Sequence, residues 1–121
     1  MATHGCVLVV DEDPLTRLAV DRQLETLGWD ALTVNGGREA IRVIELGIAV
    51  HIVLTDLRLP DLDVRNVVAT VARLRPTLRL AFMADAPPSE ALLPPDTPFL
   101  LKPFSTTALA NALMRATASR P

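Results

Sequence analysis

One stretch constrains this chain more than any other: His51-Ile52-Val53-Leu54-Thr55-Asp56-Leu57-Arg58-Leu59-Pro60-Asp61. Ile52 to Leu54 are consecutive aliphatic residues with no polar alternation. That pattern predicts a strand covered on both faces, as in a parallel sheet. The run stops at Asp56, and Pro60 blocks its continuation in regular structure. A carboxylate at the carboxyl end of such a strand lies where open α/β sheets bind ligands. Taken alone, Asp56 equally fits a strand-end residue that caps a turn.

The rest of the chain repeats the theme. Cys6-Val7-Leu8-Val9-Val10 is a second unbroken apolar strand, and it runs into Asp11-Glu12-Asp13-Pro14. Pro14 suits the first position of a helix and Asp13 its N-cap. Capping leaves Asp11 and Glu12 unexplained. Adjacent acids repel one another more strongly as they lose water, so the pair implies a bound cation or simple exposure. From Leu15 to Leu27 the spacing predicts a helix with Leu15, Leu18, Ala19, Leu24 and Leu27 inward, stopped by Gly28. Trp29 is expected to pack at the helix end. Asp30 to Val34 reads as a short strand and Asn35-Gly36-Gly37 as a turn, with no phosphate-loop pattern around the glycines.

Glu39 to Leu46 reads as a helix with Ala40, Ile41, Val43 and Ile44 inward. Val64 to Leu74 reads as another, with Val67, Val68, Val71 and Leu74 inward. Leu78 to Met83 and Pro98 to Leu101 are the remaining strands. Between them Pro87-Pro88 and Pro94-Pro95 bracket five residues, too few for a helix of ordinary length. Ser105 is the N-cap candidate for a last helix to about Ala118, with Leu109, Leu113 and Met114 inward. His51 is expected at the surface, with no metal-ligand spacing around it. Strand and helix alternate throughout, which predicts an α/β domain with a central parallel sheet.

Composition removes several function classes. The 121 residues suit one domain, residues 1–121, and half of them are hydrophobic, which argues against disorder. A formal charge of −2 leaves no basic footprint for nucleic acid. The single cysteine, Cys6, allows no internal disulfide. No apolar run approaches a membrane span, and the N-terminus lacks the pattern of a signal peptide. A cytoplasmic protein acting through partners is the expectation.

Three predicted strands end in charge: Asp11 with Glu12, Asp56, and Lys102. In a sheet of order 2-1-3-4-5 these ends meet at the switch point between strands one and three. Lys102 is the only lysine among twelve basic residues. A compact ammonium there suits a phosphoryl oxygen or a carboxylate.

Together, Val7-Leu8-Val9-Val10-Asp11-Glu12-Asp13-Pro14, Asp56-Leu57-Arg58-Leu59-Pro60-Asp61-Leu62-Asp63 and Lys102-Pro103-Phe104 resemble the response-regulator receiver domain of bacterial two-component signalling. The resemblance covers essentially the whole chain. It implies a flavodoxin-like, doubly wound three-layer sandwich on a five-stranded parallel sheet of order 2-1-3-4-5, here with a degenerate fourth helix. It further implies that Asp56 accepts a phosphoryl group from a histidine kinase or phosphotransfer protein. Asp11, Glu12, Asp56 and the backbone carbonyl of Arg58 would hold Mg²⁺, and Lys102 would contact the phosphoryl oxygens. A downstream protein partner would read the output.

The chain departs from that family at the switch. A Thr or Ser usually ends the fourth strand; Ala84 stands there, and Leu78 to Pro88 contains no hydroxyl at all. Asp85 follows where a small residue is usual, and Val64 replaces a common glycine. Phe99 matches the aromatic switch position. Two readings result: a receiver phosphorylated on Asp56, or a pseudo-receiver that binds proteins independently of phosphate. A metal-dependent phosphatase would need a further acid or base near a strand end, and a flavin or nucleotide binder would need glycines where the first loop is acidic.

Overall fold

The structure, a computed structural model, describes residues 4–88, 93 and 96–118. Its elements run β1 (Cys6–Val10), α1 (Pro14–Thr26), β2 (Asp30–Val34), α2 (Gly37–Glu45), β3 (Ile52–Asp56), α3 (Val64–Leu74), β4 (Arg79–Ala84), β5 (Phe99–Leu101) and α4 (Thr106–Ala118). The five strands are all parallel, in the order β2-β1-β3-β4-β5. This is the predicted sheet. The expected irregular fourth helix falls on residues 89–92 and 94–95, outside the described residues. Among the described residues, no helix stands between β4 and β5, and none is long and apolar enough to cross a membrane.

The alternation of side chains along the strands builds two cores from one sheet. Val7 and Val9 of β1, with Ile52 and Leu54 of β3, face α1 and α4, where Val20, Leu24, Leu109 and Leu113 close over them. Leu8, Val10 and Val53 face the other way, onto Ala40, Val43 and Ile44 of α2 and Val67 and Val71 of α3. Both faces of β1 and β3 are therefore buried, which is why their sequences are apolar without alternation.

One helix, α1, sits in a different phase from the one its leucines suggest, and α3 and α4 keep the expected phase but each leave one expected core residue exposed. In α1 the buried pair is Val20 and Leu24, whereas Leu15 and Leu18 are 74% and 45% exposed. The stripe through Val20, Leu24 and Leu27 puts Leu15 and Leu18 roughly 140–160° round the helix. A polar contact accompanies that phase: Gln23 Nε2 donates to the carbonyl of Phe104 at 2.9 Å. In α3, Leu74 lies exposed beyond the end of the buried stripe of Val64, Val67, Thr70 and Val71. In α4, Ala112 and Ala116 join Leu109 and Leu113 in the core and Met114 faces outward. The small alanines let α4 lie close to the sheet.

The ends of the elements follow local chemistry. Asp13 caps α1, accepting from Leu15 N at 3.2 Å and from Thr16 Oγ1 at 2.8 Å. Gly28 reverses the chain after α1 with φ of +84°, a conformation that suits glycine. Half-buried Trp29 packs against the α1–α4 core, with its ring 5.6 Å from that of His4. α2 starts at Gly37, two residues before the predicted Glu39. A Cβ at Gly37 would press on the side chain of Leu62, which would have to shift, so glycine lets the loop after β3 pass close as it stands. Ser105 caps α4 as expected, its Oγ accepting from Ala108 N at 3.0 Å. His51 is exposed, and its Nδ1 accepts the Cys6 N–H at 2.9 Å.

Candidate functional site

The parallel sheet brings the carboxyl ends of β1, β3 and β5 to one edge, each ending at a charged side chain. Asp11 directly follows β1, and its N–H donates to Val34 O at 3.2 Å, which extends the β1–β2 pairing by one step. Its side chain is only 1% exposed. Asp56 is the last residue of β3 and is 8% exposed. Lys102 follows β5, and its N–H donates to Ala84 O at 2.8 Å. The Lys102–Pro103 peptide bond is cis.

Lys102 Nζ lies between the two acids. It donates to Asp11 Oδ2 at 2.8 Å and to Asp56 Oδ2 at 2.7 Å. The remaining oxygens take backbone donors. Asp11 Oδ1 accepts from Asp13 N, and Asp56 Oδ1 from Arg58 N, both at 2.9 Å. Both carboxylates are thus fixed by one hydrogen bond at each oxygen. This excludes the reading of Asp56 as a turn cap alone, because the single ammonium of the chain is aimed at it from a strand 46 residues away.

Burial pushes the Asp56 carboxyl above its usual range, against the pull of Lys102 and the Arg58 N–H, and the nearby Asp11 charge adds to the rise. Burial by itself would lower Lys102, but two carboxylate hydrogen bonds outweigh it and hold the ammonium above its ordinary value. The outcome is a protonated lysine facing an anion in a poorly hydrated place.

Beside this triad opens a crevice of about 440 Å³, lined by Glu12, Asp56 and Arg58 on one side and Ala84, Asp85 and Pro87 on the other. Glu12 is exposed, so it stands at the mouth and not with the buried pair. Among the described residues, no three acidic, imidazole or thiolate groups are drawn together as they would be around a metal ion. Ala84 is 6% exposed and packs with Leu57, Val64 and Phe82, and half-buried Phe99 lies against the same cluster. The methyl of Ala84 offers no donor to the crevice.

Two residues of the site escaped the sequence reading. Arg17 of α1 donates from Nη1 to the carbonyls of Asp11 at 2.7 Å and Glu12 at 3.0 Å. Its place in the first turn of a helix was the available signal, since helical side chains lean back towards the N-terminus. Asp61 receives Gly37 N and Arg38 N on its two oxygens, each at 2.9 Å, and so ties the loop after Asp56 to the start of α2. Those two donors hold its pKa down despite some desolvation.

Comparison with known proteins agrees with this architecture. The sensor kinase CckA of Brucella abortus is 29% identical over 118 residues, covering 93% of this chain and 12% of that protein. The sensor histidine kinase RcsC of Salmonella typhimurium is 35% identical over 72 residues, 60% of this chain and 8% of that protein. The chain therefore spans a small fraction of these curated relatives. A response regulator receiver protein from Sinorhizobium medicae superimposes with a TM-score of 0.85 at 24% identity, covering 97% of this chain and 96% of that one, which shows the shared fold. Residues 7–114 match the response regulator receiver domain. With the sheet order, the three charged strand ends and this match over most of its length, the chain belongs to the receiver-domain family of two-component signal transduction.

Proposed function

We propose that this receiver domain accepts a phosphoryl group on Asp56 from the phosphohistidine of a histidine kinase or phosphotransfer protein. The observation that carries the reading is Lys102 held between buried Asp11 and Asp56 at 2.8 and 2.7 Å, beside an open crevice. One oxygen of Asp56 attacks phosphorus; the O–P bond forms as the N–P bond to imidazole breaks, and the imidazole nitrogen keeps the bonding pair. The carboxylate loses its charge in the new bond, the imidazole leaves neutral with its other nitrogen protonated, and the phosphoryl group brings its two negative charges to Asp56. Lys102 already sits within hydrogen-bond reach of Asp56 and can follow those charges without reorganising the fold. Asp11 keeps the ammonium in place during the transfer.

The donor set suits Mg²⁺, which keeps several waters and needs only one or two carboxylates beside a phosphoryl oxygen. Glu12, Asp56 and Arg58 border the crevice with hard oxygen atoms, and buried Asp11 stands behind them. Asp11, Glu12, Asp56 and the carbonyl of Arg58 would hold the ion. When bound, it would neutralise the crowded acids and the charge on the transferring group. The 121 residues act here as one cytoplasmic receiver unit that speaks to protein partners, with no nucleic acid or membrane contact and no turnover of a separate substrate.

The test is incubation with Mg²⁺ and a small phosphodonor, read by intact mass. Wild type should gain one phosphoryl mass and Asp56→Asn none. Labelling of Asp61 or Asp63 would refute the assignment. A second reading, a pseudo-receiver regulated by protein contact alone, draws on Ala84 and Asp85 in the wall of the crevice. Wild type that stays unlabelled while binding Mg²⁺ would favour it.

A further inference from the structure

The loop that carries Asp11 and Glu12 is held from behind by a cation that touches neither carboxylate. Arg17 Nη1 donates to two successive carbonyls, Asp11 O at 2.7 Å and Glu12 O at 3.0 Å. Among the described residues, the ion pairs are those of Lys102 with Asp11 and Asp56 and of Arg65 with Asp63, so Arg17 neutralises no acid directly. A donor shared by consecutive carbonyls fixes two peptide planes. Those planes set the directions in which the Asp11 and Glu12 side chains leave the chain. Asp11 is also held by Lys102 and Asp13 N. Glu12 is exposed and has the backbone as its main constraint.

We propose that Arg17 is a positioning residue, which presets the Glu12 carboxylate and the Asp11–Glu12 backbone for a divalent cation. The inference rests on the reading of this crevice as a cation-assisted phosphoacceptor site. It has a distinctive sign. A guanidinium near a cation site opposes the cation by charge, so deleting it on electrostatic grounds alone tightens binding. Deleting it as a support loosens the loop and weakens binding. The two effects run in opposite directions, and the larger one decides the measured change.

The experiment is calorimetric titration of Mn²⁺ into wild type, Arg17→Met and Arg17→Lys at fixed ionic strength, with circular dichroism of each protein. Methionine keeps the apolar stem and loses donors and charge; lysine keeps the charge and one donor. The expected result is a dissociation constant about ten-fold weaker for Arg17→Met, the size of one charge-assisted hydrogen bond, with Arg17→Lys returning most of the loss. Binding by Arg17→Met as tight as wild type, or tighter, would overturn the inference and leave the site reading intact. A wild type that binds no Mn²⁺ would overturn both. If Arg17→Met does not fold, wild type and Arg17→Lys still decide, because unaltered charge with a shorter reach should weaken binding two- to three-fold, and equal binding refutes the role.

Discussion

Replacing Lys102 with methionine is the sharpest perturbation of this fold. Methionine fills a similar channel and removes only the ammonium. Two hydrogen bonds disappear, those to Asp11 Oδ2 and Asp56 Oδ2 at 2.8 and 2.7 Å. Each charge-assisted bond contributes about 1.5–3 kcal/mol, and removing one partner of a buried ion pair costs about 3–5 kcal/mol. Two considerations fix where in that range the loss falls. The Asp11 side chain is 1% exposed and cannot take water instead, whereas that of Asp56 is 11% exposed beside an open crevice and can. The expected loss at pH 7 is therefore about 3 kcal/mol. With an m-value on the order of 1.5 kcal/mol/M in urea, the midpoint falls by about 2 M.

The pH dependence carries a definite sign. Asp56 already has a raised pKa because of burial, and removing Lys102 takes away the main force that lowers it. An acid whose folded pKa exceeds its unfolded value destabilises the fold while ionised, and that penalty is relieved as pH falls through the folded pKa. The variant should therefore recover stability relative to wild type between neutral and mildly acidic pH. Lys102 itself, raised in the folded state, stabilises wild type at all pH below its unfolded value and loses that contribution only in strong alkali. Urea titrations at pH 7 and pH 5, followed by far-ultraviolet circular dichroism, measure both effects. A loss under 1 kcal/mol at pH 7, or a gap that widens on acidification, would refute this account of the triad.

Other changes test separate parts of the argument. Asp61→Ala should cost about 1 kcal/mol, the size of a helix-capping contribution, by freeing Gly37 N and Arg38 N; urea denaturation above pH 5 checks it. Because Asp61 has a lowered folded pKa, that difference is present above the unfolded value and vanishes as pH falls through the folded one. Beryllofluoride should move backbone NMR shifts in the wild type mainly in the loops around Asp11 and Asp56. In Ala84→Thr the same analogue should also move residues around Phe99, and shifts spreading through α4 in the wild type would contradict this.

The parts of the molecule legible in the sequence are those that rest on burial. β1 and β3 announce themselves because both faces are covered, so the chain cannot alternate. Asp11, Asp56 and Lys102 follow at once, since each sits at or immediately beyond a strand end and parallel pairing brings such ends to one edge. α1 was misphased because its leucines offer two stripes, and periodicity cannot choose between them. Polar contacts accompany the observed phase: Gln23 to Phe104 O, far along the chain, and Arg17 to the adjacent acidic loop. Asp61 was invisible for the same reason. Its partners are backbone N–H groups 23 and 24 residues away, and no residue type marks a backbone donor in advance.

On the proposed function, receipt of a phosphoryl group and its readout would depend on different neighbours. The proposed chemistry needs Asp56, Lys102 and Asp11, which meet, with Glu12 on the crevice beside them. Readout needs a group whose contacts differ between the two states, because a ligand shifts an equilibrium only by its differential affinity. A hydroxyl at position 84 would supply about 1.5–3 kcal/mol of such difference, roughly ten- to hundred-fold in population. Ala84 supplies no side-chain donor, and Phe99 already packs beside it with Leu57, Val64 and Phe82. Between the site and β5 run the Lys102 side chain, on Asp56 Oδ2 at 2.7 Å, and two backbone bonds, Lys102 N to Ala84 O at 2.8 Å and Phe82 N to Pro98 O at 2.9 Å. Backbone pairs of this kind hold strands together equally in both states. A signal from a phosphorylated Asp56 would therefore leave by both of its side-chain oxygens, through Lys102 to the end of β5 and through Arg58 N into the loop that Asp61 fastens to α2. On this reasoning a partner would sense the acceptor at the face bearing α2 as well as at the end of β5.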